Sequence, residues 1–119
     1  MHRWITIAAY GWLVLGGILH IVIDVASQYL RSTRAPGPAT TLYYGLNTSY
    51  AAGQIFFGLL GLLLVRSSPE LVSTWPIVTL SLVASVCWLV IGYAWMEYWE
   101  PKAMACVFGS LILAATLTR

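Results

Sequence analysis

With 119 residues, 60% of them hydrophobic and 8% charged, the chain has room for one domain and lies outside the composition of soluble globular proteins. Its net charge of +2, from six basic and four acidic side chains, is too small and too scattered for a nucleic-acid surface. A mean hydropathy of +0.81 instead predicts an integral membrane protein, and the sequence divides into four apolar segments of bilayer-spanning length. The fold class this implies is all-α, an up-down-up-down bundle of four transmembrane helices forming one domain over 1–119.

The first segment is predicted as a helix over about 4–29. It is too long, and too polar at His20 and Asp24, for a cleaved leader, and it reads as a retained span. Trp4 suits an interfacial anchor, and Gly16 and Gly17 permit close helix contact. His20 and Asp24 follow at i and i+4, on one side of the helix. A carboxylate at this depth is expensive unless paired, so the two residues are candidates for acid–base work as well as for a structural hydrogen bond. The stretch RSTRAPGPAT, 31–40, with its prolines and glycine, predicts a polar hairpin.

The second segment, about 41–65, carries Tyr43, Asn47, Tyr50, Gln54, Gly58 and Gly61 at helical spacing, a stripe polar at one end and bare at the other. Such a face should point at other helices, as the wall of a buried polar site or as interhelical glue. The third, about 75–98, has Pro76 in its first turn and a face of Ser81, Ser85, Trp88, Gly92, Trp95 and Trp99, with Tyr93 and Glu97 near its end. The fourth, about 101–118, is the least polar and reads as packing. Cys87 and Cys106 lie at different depths and read as small core residues, with no CxxC or Cys/His cluster beside them.

Helices that alternate in direction bring the end of the first segment, the start of the second and the end of the third into one leaflet. His20 and Asp24, Asn47, Tyr50 and Gln54, and Tyr93, Trp95 and Glu97 should therefore share one depth, the other leaflet holding mainly Ala, Gly and Leu. The predicted site places His20, Asp24, Tyr50 and Glu97 in proton-transfer roles and Asn47, Gln54, Trp88, Tyr93 and Trp95 against the ligand. A lipophile such as an isoprenoid, sterol-like lipid, quinone or pigment fits a pocket that is apolar and aromatic with a few polar groups. Isomerisation or ring opening would be the matching chemistry. Neither a metal nor another cofactor is expected, since His20 is the one intramembrane histidine. The alternative is an accessory subunit of a membrane complex, or a homo-oligomer, assembled through Gly53, Gly58 and Gly61.

The run LYYGLNTSYAAGQIFFGLLGLLL, with the Gly-Gly-x-x-His of the first segment, resembles small bacterial four-helix membrane proteins of uncharacterised function, over about half the chain. The resemblance implies a bacterial inner-membrane location and no particular activity. The early His/Asp pair is also similar to that of the sterol-isomerase and sigma-2-receptor group, which encloses a lipophilic cavity. The spacing here is His-x-x-x-Asp, and no residue roles transfer. Basic residues divide evenly, Arg3, Arg66 and Arg119 on the terminal side against Arg31, Arg34 and Lys102 on the other. The acids tip the terminal side positive, which places both termini in the cytoplasm.

Overall fold

The computed structural model describes residues 1–118; Arg119, counted above for orientation, lies outside them. Four helices are long and apolar enough to cross a membrane: α1 (His2–Leu30), α2 (Pro38–Ser67), α4 (Trp75–Trp95) and α5 (Glu100–Leu117). A single turn, α3 (Pro69–Val72), joins α2 to α4. The shortest span, 18 residues, covers about 27 Å at 1.5 Å per residue, enough for the hydrocarbon core. The protein is an all-α, four-span membrane bundle, as its composition predicts.

Proline sets the start of each long helix after the first. Pro38, Pro76 and Pro101 all occupy a first turn, where the missing N–H would have had no helical partner. Helix α2 therefore begins three residues earlier than the hairpin reading allows. Helix α4 ends at Trp95, and Met96 is extended (φ −117°, ψ 126°), so the predicted last turn to Tyr98 is not helical. With Pro101 starting α5, the chain has only residues 96–99 in which to reverse, and the end of α4 supplies them.

Helix α1 is the centre of the bundle, packed on α2 along one side and α5 along the other, with α4 against α5. Glycine sets the closest contacts. A Cβ on Gly17 would lie 2.8 Å from the Ala51 carbonyl oxygen, and one on Gly58 2.8 Å from that of Tyr10. Gly61 lies directly under the Tyr10 ring and Gly16 against the Met104 side chain. The core is a cluster of four rings, one from each long helix: Tyr10, Phe57, Trp88 and Phe108, with neighbouring centroids 5.6–6.4 Å apart.

The half of the bundle around the termini is not a plain Ala, Gly and Leu layer. Tyr10 Oη lies 2.8 Å from Ser81 Oγ, and since Ser81 gives its only hydrogen to the Ile77 carbonyl, Tyr10 donates. His2 Nδ1 donates to the Ala115 carbonyl at 2.6 Å, and its Nε2 lies 2.7 Å from Ser73 Oγ. These bonds tie the start of α1 to the end of α5 and to the α3–α4 link. Cys87 and Cys106 are free and exposed on the outer surface, not core residues; a thiol is apolar enough to face lipid without cost.

Candidate functional site

The sequence stretch that shapes the site is Ile21–Ala26 of α1, IVIDVA, which winds as a π-helical turn. Ser27 N–H reaches back to the Val22 carbonyl, five residues earlier. Four β-branched side chains in six residues crowd the preceding turn, and widening the helix relieves that crowding. Such turns often mark functional sites. Here it begins directly after His20 and carries Asp24, on the side of α1 that faces α2 and α5.

Beside it lies a cavity of about 300 Å³ bounded by α1, α2, the 96–99 connection and the first turn of α5. Four of the residues expected in the site line it: His20, Asp24, Tyr50 and Gln54. The hydrogen bonds fix most of the protons. Asn47 Nδ2 donates to the Tyr43 carbonyl at 2.9 Å, which turns its Oδ1 toward His20 Nε2, 3.0 Å away. An amide oxygen only accepts, so Nε2 carries hydrogen. His20 Nδ1 lies 3.0 Å from Asp24 Oδ2, and one hydrogen lies between these two atoms. With it on Nδ1 the pair is imidazolium and carboxylate, and with it on Oδ2 both groups are neutral. The pair thus stores a single movable proton beside the cavity.

Tyr50 packs its ring 5.4 Å from that of His20. Its hydroxyl and Gln54 Nε2 are both buried without a hydrogen-bond partner. The residues are 8% and 2% exposed, so solvent does not compensate, and an unmet buried polar group is costly.

The remaining expected residues lie elsewhere. Asn47 does not line the cavity but holds His20 from behind. Trp88 belongs to the four-ring core. Tyr93 and Trp95 are 71% and 77% exposed on the outside of α4, Tyr93 beneath the Lys102 ammonium, and Glu97 is exposed in the 96–99 connection. Because α4 stops at Trp95, the carboxylate that lines the cavity is Glu100, at the start of α5, and Tyr98 lines it as well. Sequence reasoning placed neither Glu100 nor Tyr98 in the site. The signal for Glu100 was Pro101, which requires a helix to begin there and sets Glu100 level with Asp24.

A polar cluster flanks the cavity at its interfacial end. Tyr43 Oη and Tyr98 Oη lie 2.9 Å apart, and the Arg34 guanidinium stacks 3.5 Å above the Tyr43 ring. Arg34 Nε donates to Gln28 Oε1, and Gln28 Nε2 to Tyr43 Oη. Partial burial pushes the Tyr98 phenol above its usual range, and the bond to Tyr43 pushes it further. Among the described residues no three His, Cys, Asp or Glu side chains converge as metal ligands.

Fold and site together define a class: a small four-span membrane protein with a His–Asp pair on an intramembrane cavity. Compared with models of protein families, with curated proteins and with solved structures, the chain matches none.

Proposed function

We propose that the protein binds a lipophilic small molecule within the membrane, its polar end in the cavity between α1, α2 and α5, where the His20–Asp24 pair can exchange a proton with it. The observation that carries this reading is that Tyr50 and Gln54, two of the side chains lining a 300 Å³ cavity, each bury a polar atom, Oη and Nε2, that has no hydrogen-bond partner. That volume is at the lower end for small-molecule sites. A bundle held by interhelical hydrogen bonds alone gains nothing from burying two groups that bond to no other helix. A ligand that meets them gives their burial a purpose.

A single proton held between an imidazole and a carboxylate suits general acid–base chemistry on such a ligand. Proton transfer that shifts a double bond or opens a strained ring needs no further group. Glu100, at the cavity rim, offers a path for the proton to water. The accessory-subunit reading is less favoured, because Gly58 and Gly61 are already occupied by α1 and do not form an outward face.

Native mass spectrometry of detergent-purified protein, followed by organic extraction, tests the reading. The expected result is a bound lipophile in the wild type that is lost in a Gln54→Trp variant, whose indole fills the cavity. Wild-type protein that arrives empty, and that takes up no lipophile added to it, would contradict the reading.

A further inference from the structure

The end of the bundle away from the cavity holds a second polar arrangement, which the ligand-binding reading does not use. His2 Nδ1 lies 2.6 Å from the Ala115 carbonyl oxygen, and His2 Nε2 lies 2.7 Å from Ser73 Oγ. A carbonyl only accepts, so the hydrogen of a neutral His2 sits on Nδ1 and leaves Nε2 bare. Ala115 is 3% exposed, which shields that bond from water and fixes the tautomer. The Ser73 hydroxyl then has one close acceptor, Nε2, because the Pro69 carbonyl oxygen is 3.4 Å away. Its hydrogen points at a bare imidazole nitrogen.

A hydroxyl that donates to an imidazole, whose other nitrogen is held by a third group, is the arrangement that activates a serine nucleophile. The fold also places it where an acyl donor can meet it. Helices α1 and α4 start at this end of the bundle and α2 and α5 finish there, so the link that carries Ser73 lies at a membrane surface. Trp4 and Trp75, 73% and 69% exposed, suit anchoring in that layer. Ser73 and His2 are both half-buried, and chain on either side of Ser73, at Leu71 and Thr74, lines an open depression of about 560 Å³. Ser67 and Ser68 line the same depression, but both imidazoles of the chain are committed elsewhere. Ser67 Oγ donates to the Leu63 carbonyl of its own helix.

We infer that Ser73 is a nucleophile activated by His2, and that it accepts acyl groups from ester-bearing amphiphiles at this surface of the membrane. As the bond from Ser73 Oγ to the ester carbonyl carbon forms, the hydroxyl hydrogen passes to His2 Nε2. The bond from that carbon to the alcohol oxygen breaks, and the alcohol leaves with the same hydrogen. Water then attacks the acyl-serine by the same route, which releases a carboxylic acid and restores Ser73. Ester and water are the only reagents. The Ala115 carbonyl acts through His2, holding the imidazole in orientation while it carries the extra proton.

The test uses the protein in phosphatidylcholine nanodiscs and two probes, a decyl fluorophosphonate and 4-nitrophenyl decanoate. With the first, a bond from Ser73 Oγ to phosphorus replaces the P–F bond and fluoride leaves. Peptide mapping by mass spectrometry should find Ser73 labelled about a hundredfold faster than Ser67 and Ser68, the size of a general-base contribution. His2→Ala should remove that excess. Release of nitrophenolate from the second probe should fall to the level of empty nanodiscs in Ser73→Ala and in wild type already labelled with the fluorophosphonate.

The comparison with Ser67 and Ser68 is made within one folded wild-type molecule, so it decides the matter even if His2→Ala loosens the bundle. Ser73 labelled no faster than these two neighbours would overturn the inference. So would a His2→Ala protein that keeps its melting temperature and its full labelling rate, or a Ser73→Ala protein that releases nitrophenolate as fast as the wild type.

Discussion

The Asn47 amide oxygen sits 3.0 Å from His20 Nε2, on the opposite side of the imidazole from Asp24. The Asn47 amide is itself anchored to the backbone of its own helix through Tyr43. The histidine is therefore held in one orientation from two helices, with one nitrogen committed to donating and only the other free to gain or lose hydrogen. This arrangement turns a histidine with two equivalent options into a one-sided proton carrier.

In ¹⁵N-histidine-labelled protein, the His20 Nε2 resonance should report a protonated nitrogen at every pH at which the bundle is folded. Asn47→Leu leaves the Nε2 hydrogen buried and unmet and should cost about 1–3 kcal/mol of stability. A wild-type spectrum with a bare Nε2 would contradict this network.

The glycines of α1 and α2 divide sharply by what surrounds them. A methyl group at Gly58 would meet the Tyr10 carbonyl oxygen at 2.8 Å and the Val14 side chain at 2.7 Å, whereas one at Gly53 would meet nothing within 4 Å. Backbone cannot yield as a flexible side chain can, so Gly58→Ala forces α1 and α2 apart. The expected loss is about 1–3 kcal/mol. Gly53→Ala should be neutral or stabilising by up to about 1 kcal/mol through helix propensity. Unfolding in mixed detergent micelles measures both. A Gly53→Ala variant as damaged as Gly58→Ala would show that the outer face of α2 is itself a contact surface and would revive the subunit reading.

Helix α1 closes with Ser32 at φ 50°, in the left-handed region. Ser32 N–H bonds to the Tyr29 carbonyl and Thr33 N–H to that of Gln28, both at 3.1 Å. This is the double bond pattern of a Schellman cap, which normally has glycine at the position Ser32 occupies. Ser32→Gly should raise stability by about 1 kcal/mol by removing the Cβ penalty, and Ser32→Val should lower it, since branching makes that backbone harder to reach. Thermal unfolding of the two variants checks the order. A reversed order would mean that the serine hydroxyl outweighs the backbone cost.

The four spans, the helix order and the convergence of His20, Asp24, Tyr50 and Gln54 were legible because each depends on spacing within a helix or on strict alternation of direction. What was not legible depends on where helices end and how they rotate. Extending the third span to Tyr98 put Glu97, Tyr93 and Trp95 in the site. Ending it at Trp95 releases Glu97 into the connection and brings Glu100 to the cavity instead. The π-helical turn left only the β-branched run IVIDVA as a trace, which periodicity at 3.6 residues passes over. Trp88 fell on the expected face, but at a depth filled by Phe57 and Phe108, so it packs in the core and not on a ligand. The orphaned state of Tyr50 and Gln54 could not be read at all, because it is a property of what the other helices fail to offer.

The hydroxyl contact between Tyr43 and Tyr98, 2.9 Å, joins α2 to the 96–99 connection beside the cavity and should fail at alkaline pH. The Tyr98 phenol is pushed up by partial burial and then by its bond to Tyr43, so the folded protein holds this proton more tightly than the unfolded chain does. The stabilisation is fully present below the ordinary tyrosine value of about 10 and is lost as pH rises through the higher folded value. A spectrophotometric titration of tyrosinate absorbance should therefore show, in the wild type, a late-ionising component that Tyr98→Phe removes. The variant should also lose less stability between pH 9 and pH 11. A Tyr98→Phe variant that instead loses an ordinary component at about pH 10 would mean that Tyr98 is free in water, and with it that the cavity has no wall on that side.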